Sequence, residues 1–458
     1  LPAVCFKYNR SVREEFQFEQ VLAFEPGRAV EIFAGIPAAA GVFALFGHGE
    51  VDQPYLTRTA NLRRRMQRLL AVDSSDTNLQ STNTKRLNLS GRVARVEFTC
   101  TGSEFEAMLL LYRAMTSLLG VEAAERRLRL HTPFAVRLAV ENAYPRAYVS
   151  NKISARNLEH YYGPFPTRAA AERYIDESLN LFKLRRCHED LTPDPAFPGC
   201  VYSEMKMCLA PCFKGCTDER YAEETKAVGE YLATRGGSLV AGIAAAREAA
   251  STALDFERAA EMHAVMTRAM AAARLADEIV RPIAKLDAVV VQNAQKASGK
   301  DRAALFLVQS GLLAGPVFIS VFVSGEKIPE ADSKIPEADL KITDEQVAAA
   351  IESLTTMLPQ EAGKKKISSR LLGCHLALLK RWYYRAEKTR NGEIFFRNED
   401  GKFPMKRIVR AVSRAAGVKE SETAKTGETR NGVPLLPVRA DAEPVTSEMV
   451  RKLDDELH

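Results

Sequence analysis

Five of the eight cysteines in this 458-residue chain fall between Cys187 and Cys216. The first four, Cys187, Cys200, Cys208 and Cys212, are spaced C-x12-C-x7-C-x3-C. The segment around them is loop-rich, as loops organised by a metal usually are. With no secretion signal in view, four thiolates this close together are better explained by a metal or iron–sulfur site than by disulfides. Tetrahedral four-cysteine zinc more often shows two close C-x2-4-C pairs, and only the last pair is close here. On spacing alone, zinc and iron–sulfur both stay open. His188 and Cys216 are spare, and Cys216 repeats the C-x3-C step from Cys212.

The length allows two or three domains, each with its own core. Apolar runs such as residues 303–308 and 317–323 are too short to span a bilayer, so no membrane association is expected. The first residues show no basic-then-apolar leader pattern, and a cytoplasmic location is the expectation. Cys5, Cys100 and Cys374 are scattered, as reduced thiols would be. A net charge of +6 permits nucleic-acid binding without demanding it. Its distribution says more. Arg58, Arg63, Arg64, Arg65 and Arg68 crowd together, and Arg126, Arg127 and Arg129 follow; the plainer reading of such a run is a solvated helix face.

The pattern predicts an α+β, multi-domain protein. Residues 22–35 read as short strands around Pro26-Gly27, and 41–56 as a hairpin whose second strand ends at Tyr55-Leu56. Asn61 is a candidate N-cap, with Leu62, Met66, Leu69 and Leu70 forming a helical stripe behind the arginines. A strand over 93–100 and a helix over 104–119 complete a small αβ unit. Strands return over 134–150, helices over 167–182, 218–234 and 239–273, and strands over 286–292, 304–309 and 315–323. The hexapeptide Lys327-Ile328-Pro329-Glu330-Ala331-Asp332 recurs at residues 334–339 and reads as slippage in an exposed loop. Residues 420–433 read as a polar linker. The expected units are 1–130 (αβ core about 38–120), a cysteine domain at 131–235, a helical hairpin at 236–280 and an αβ region at 281–458.

Several strings, in order, resemble the UvrC family, the nuclease subunit of bacterial nucleotide excision repair. Gly41-Val42-Phe43 and Tyr55-Leu56-Thr57 resemble the two motifs of its GIY-YIG nuclease domain. Residues 101–107 resemble the start of its helix after the third strand. Tyr162-Gly163-Pro164-Phe165-Pro166, Cys208-Leu209-Ala210-Pro211-Cys212 and Leu254-Asp255-Phe256-Glu257-Arg258-Ala259-Ala260 continue the match, the last resembling the UVR motif through which UvrB and UvrC pair. The resemblance implies a DNA-binding repair protein and a site that includes Tyr55, Arg58 and Arg65. It also implies a [4Fe–4S] cluster on Cys187, Cys200, Cys208 and Cys212, with zinc as the alternative. A UvrB-like partner would bind through residues 251–270. No small-molecule substrate is evident.

The departures bear on activity. The first-motif tyrosine is Phe43, a glycine of the second motif is Thr57, and the family's metal-binding glutamate is Leu111. Leucine cannot hold a hard cation, so the implied endonuclease is expected to be degenerate. Mg²⁺ or Mn²⁺ is expected only if another carboxylate replaces the glutamate and the nuclease is active. The family's second nuclease domain, of RNase H type, and its helix-hairpin-helix tail find no match in the strings after about residue 320. Lys364-Lys365-Lys366 and Arg381-Trp382-Tyr383-Tyr384-Arg385 read either as a nucleic-acid surface or as a helix whose aromatics pack on the core. The reading from another class is a metal-stabilised interaction module without DNA function.

Overall fold

The computed structural model describes residues 16–49, 53–70, 88–189, 191–294, 302–320, 342–358, 367–386, 389–398 and 400–417, with the short strand pairs 429–430 and 433–434. Three four-stranded antiparallel sheets and their helices give an α+β protein. The first sheet comprises β1 (Gln20–Ala23), β2 (Gly41–Gly47), β3 (Tyr55–Thr59) and β4 (Val93–Cys100), in the order β1-β4-β2-β3. Side chains alternate along a strand, so β2 feeds two cores. Phe43 and Leu45 join α1 (Ala29–Gly35) and α2 (Leu62–Leu69); Val42 and Ala44 pack with α3 (Glu104–Leu119). Gly41 has no alternative: a Cβ there would lie 2.5 Å from the Thr99 carbonyl oxygen and 2.7 Å from Leu62.

Two local expectations change. Residues 29–35 form helix α1, not strand, because Ala29 and Phe33 recur at i, i+4 and bury one helical face. The second hairpin strand begins at Tyr55 and runs to Thr59. Asn61 is the N-cap of α2, its side chain accepting from Arg64 N at 2.9 Å. Ser103 caps α3 by accepting from Glu106 N, while the Glu106 carboxylate accepts from Gly102 N at 2.8 Å.

Helix α3 is apolar nearly all round because it is covered on both sides. Phe105 meets Phe306 and Trp382 from the C-terminal region, with ring centroids 5.0 and 5.2 Å away. Helix α4 (Val121–Leu128) follows. The middle sheet joins β5 (Phe134–Leu138), β6 (Ala147–Ser150), β7 (Tyr161–Phe165) and β8 (Arg281–Pro282), in the order β6-β5-β7-β8. Around it lie α5 (Arg168–Leu179), α6 (Val201–Glu204) and α7 (Asp218–Ala233). Residues 239–273 lie in two antiparallel helices, α8 (Gly237–Thr252) and α9 (Phe256–Ala273). The chain reverses at Leu254, φ 61°, and Asp255 caps α9.

The third sheet, β11-β10-β9-β12, contains β9 (Ala288–Asn293), β10 (Arg302–Gln309), β11 (Leu312–Ser320) and β12 (Glu393–Phe396). Its Val289, Val291 and Leu305 face packs on α10 (Asp344–Thr356) and α12 (Met405–Ala415). The opposite face, with Val290, Phe306 and Val308, shares a core with α3 and α11 (Ser369–Tyr383). Burial on both faces explains why these strands read as continuous apolar runs. Among the described residues, no helix is long and apolar enough to cross a membrane. The duplicated hexapeptide and Lys364-Lys365-Lys366 lie outside the described residues.

Candidate functional site

Two places carry the residues singled out by the sequence. The first lies beside edge strand β3. Tyr55 is partly buried against Phe43, ring centroids 6.3 Å apart, and its hydroxyl accepts from Arg65 Nη2 at 3.2 Å. Tyr55 and Arg65, 10 residues apart, are thus brought together by the β3–α2 connection. Arg58 is not. It is odd in phase with Tyr55 and Thr57, so it leaves the opposite face of the strand and bonds Glu104 at 2.8 Å. Arg385 also binds both oxygens of Glu104. The Arg385 hydrogen bond, reinforced by Arg58, holds the Glu104 carboxyl down at about 2.

A cavity of about 540 Å³ opens against the same strand, lined by Tyr55, Thr57, Leu111, Met115 and Arg127. Arg127 spans part of its rim to Gln53 at 2.8 Å. Leu111 therefore stands in the wall shared with Tyr55, where the resemblance places a glutamate. The residues present do not fit a divalent cation at that wall. Neither glutamate upstream on α3 substitutes: Glu104 is clamped by two arginines, and Glu106 is buried as a cap. Burial pushes the Glu106 carboxyl up to about 7, against the hydrogen bond from Gly102.

The arginine run is only partly a solvated face. Arg64 and Arg68 are exposed, but Arg63 donates to the carbonyls of Ile36 and Ala34 at 2.7 and 3.2 Å. The 381–385 segment resolves to the core-packed alternative. Trp382 is buried and donates to the Asn391 carbonyl at 3.1 Å, and the Tyr384 hydroxyl donates to the Pro164 carbonyl at 3.0 Å. Arg381 is spent on the Leu128 and Arg129 carbonyls.

The second place is the cysteine loop between α5 and α7. Burial pushes the Cys208 thiol up to about 11, and the neighbouring Cys187, Cys212 and Cys200 push it the same way, so the four groups share one neighbourhood. Cys208 Sγ accepts from Ala210 N at 3.3 Å, with Ala210 at φ 57°. Among the described residues, no three His, Cys, Asp or Glu side chains converge closely enough to hold a metal ion as they stand. The loop does carry four soft donors, an N–H aimed at sulfur, and a buried cation beside them. That cation is Arg185, 2% exposed. It donates to Cys187 Sγ at 3.5 Å and to the carbonyls of Tyr144 and Glu189 at 2.8 and 2.9 Å. Sequence reasoning missed Arg185, and nothing in Lys183-Leu184-Arg185-Arg186-Cys187 separates it from its half-buried neighbour Arg186. His188 is drawn away to Arg146 at 2.8 Å.

The α8–α9 hairpin presents Leu254 and Phe256 with 73% and 67% of their surface exposed. Along α9, Phe256, Ala260 and His263 are exposed and Ala259 is half-buried, whereas Ala269 and Ala272 at the base are buried.

Comparison with known proteins locates the likeness. Residues 134–231 match the family profile of the UvrC/Cho excinuclease, middle domain. The UvrABC system protein C of Pseudomonas syringae pv. syringae is 27% identical over 248 residues, covering 52% of this chain and 37% of that protein. The UvrABC system protein C of Desulforudis audaxviator is 30% identical over 247 residues, covering 52% and 36%. The chain thus spans well under half the length of the curated relatives it matches. No solved structure matches it.

Proposed function

Because this chain belongs to the UvrC family, we propose that it is a DNA-binding protein of nucleotide excision repair whose GIY-YIG-like endonuclease domain is degenerate. The observation that carries the second half is Leu111 in the cavity wall beside Tyr55. Phosphodiester cleavage of this type needs a metal held by a carboxylate, and its charge stabilisation is worth several kcal/mol in the transition state. The wall beside Tyr55 offers a methyl-tipped side chain instead. Tyr55 and Arg65 keep a mutual hydrogen bond that suits a phosphate-facing pair, which supports retained DNA contact without cutting.

The cysteine loop is proposed to hold a [4Fe–4S] cluster on Cys187, Cys200, Cys208 and Cys212, with zinc as the alternative. The bound centre would supply loop closure where the segment buries few apolar side chains of its own. The exposed Leu254 and Phe256 support a partner-binding tip, consistent with a UvrB-like protein engaging residues 251–270.

The test is a nicking assay on damaged duplex with Mg²⁺ and Mn²⁺. The unmodified chain should bind the duplex and show no metal-dependent nicking above background. Leu111→Glu should recover metal binding, with Phe43 and Thr57 still limiting turnover. Robust Mg²⁺-dependent cleavage by the unmodified chain, abolished by Tyr55→Phe, would mean that another carboxylate serves. No DNA binding at low ionic strength would favour the interaction module that never touches DNA.

A further inference from the structure

Arg58, on the face of β3 away from Tyr55, ends on a carboxylate that a second arginine also holds. Its Nη1 donates to Glu104 Oε1 at 2.8 Å. Arg385, just past the end of α11, donates from Nη1 and Nη2 to the two Glu104 oxygens. Arg381, one turn earlier, lies close enough that the Arg58 and Arg385 charges add to burial in pushing its guanidinium pKa down. This end of α11 is fixed from behind. Trp382 and Tyr384 donate to the Asn391 and Pro164 carbonyls, and Arg381 to the two carbonyls at the end of α4. The aromatics of the 381–385 segment thus pack inward, while its last arginine is delivered to β3 from a region where the family resemblance has stopped.

Stability does not account for this contact. The side chains of Arg58, Glu104 and Arg385 keep 39%, 40% and 28% of their surface exposed, and ion pairs this wet add little to folding. Its geometry accounts for more. A guanidinium fork on both oxygens of one group, with a second guanidinium on one of those oxygens, is the donor set that a phosphate takes. The three partners come from β3, α3 and the segment after α11, so the folded chain alone assembles them. From this we infer that Arg58 and Arg385 form a phosphate-binding site, that Glu104 fills it in the unbound protein, and that a backbone phosphate of bound DNA displaces the Glu104 carboxylate. The inference rests on the DNA-binding reading and deepens it. Edge strand β3 then meets the backbone from both faces, through Tyr55 and Arg65 on one and Arg58 and Arg385 on the other.

The two kinds of substitution have different signatures. A carboxylate that must be displaced weakens binding without changing how many phosphates are neutralised. Glu104→Gln keeps the size of the side chain and removes the competing charge, so affinity should rise while the salt slope stays nearly the same. Removing an arginine should lower both.

The experiment measures equilibrium binding of the full chain to a fluorescent duplex across a salt series. Glu104→Gln should bind about tenfold tighter at about 0.1 M salt, the size of one phosphate contact at that ionic strength. Glu25→Gln makes the same charge change at an exposed carboxylate ahead of α1, and with that charge screened from the duplex it should stay within about twofold. Arg385→Gln should bind about tenfold more weakly and flatten the slope by about one unit. A Glu104→Gln gain no larger than that of Glu25→Gln would overturn the site, since only general charge would then be at work. An unchanged slope in Arg385→Gln would overturn it too, and that variant decides by itself if Glu104→Gln does not fold. Inorganic phosphate at matched ionic strength separates the two sources of the ligand. It should leave the duplex bound; displacement by millimolar phosphate would assign the site to the free ion and overturn the backbone contact. Absence of duplex binding by every variant at low ionic strength would overturn the DNA-binding reading and this inference together, whereas duplex binding indifferent to both Glu104→Gln and Arg385→Gln would overturn this inference alone.

Discussion

The pocket beside β3 and the cysteine loop are held together by opposite means. Around the pocket, periodic apolar side chains build the structure: Phe43 and Leu45 on one face of β2, Val42 and Ala44 on the other, with α3 buried from Phe105 to Tyr112. That architecture does not depend on the residues that would carry chemistry, so a leucine at position 111 sits in it without disturbance. The cysteine loop has almost no such core. Phe197, Val201 and Met205 point outward, exposed by 41%, 57% and 62%, and the buried members are Leu184, Arg185, Ala210 and Pro211, with Leu209 and Cys216 packed partly on the main core. Its order rests on polar contacts and, in our reading, on bound metal. A scaffold made by burial tolerates loss of function, whereas one made by ligation does not.

The largest expected effect breaks this comparison most directly. Cys208→Ser or Cys212→Ser should strip the metal and reduce solubility, because ligand binding energy is folding energy for such a loop. Either variant retaining full metal content and solubility would show that the loop is held without ligation. On the other side, Glu106→Gln should act on α3 without touching the pocket. Burial raises the folded-state pKa of Glu106 to about 7 from its ordinary 4.5, so the folded state binds the proton more tightly. Stability should then fall as pH rises from 4.5 through about 7. The Gln variant should flatten that slope and gain on the order of 2 kcal/mol at pH 8, read by chemical denaturation across pH. An unchanged slope would sink the assignment.

A smaller effect is expected at the pocket itself. Tyr55→Phe removes only the hydroxyl that Arg65 contacts and should cost about 0.5–1.5 kcal/mol or less in stability. A loss of several kcal/mol would mean that the pocket is held by its polar groups after all. The mildest test is Arg65→Ala, which should weaken duplex binding across all sequences and reduce the salt slope by about one unit. Salt-insensitive binding would remove the DNA reading of this face.

Much of the fold was legible because it follows from period and caps. The Asn61 and Thr167 caps, the 104–119 helix and the apolar strands of the third sheet all announce themselves locally. The 29–35 helix was not, because its few residues carry both spacings and only packing on α2 selects one. The 381–385 segment was undecided for the same reason: arginines and aromatics in alternation describe a nucleic-acid surface and a buried helix end equally well.

The sequence by itself determined which residues are the candidates in each region, because motif order, cysteine spacing and the leucine at position 111 are properties of the chain. Only the tertiary structure decided how they are used. It set Tyr55 and Arg65 on one face and sent Arg58 to Glu104, since strand alternation becomes a spatial fact only when a partner occupies each side. It tied Glu104 to Arg385, 281 residues away. It also buried Arg185 beside Cys187 and left Arg186 half-exposed, a choice between adjacent arginines that local propensity cannot make, because burial of a charge depends on distant groups closing over it.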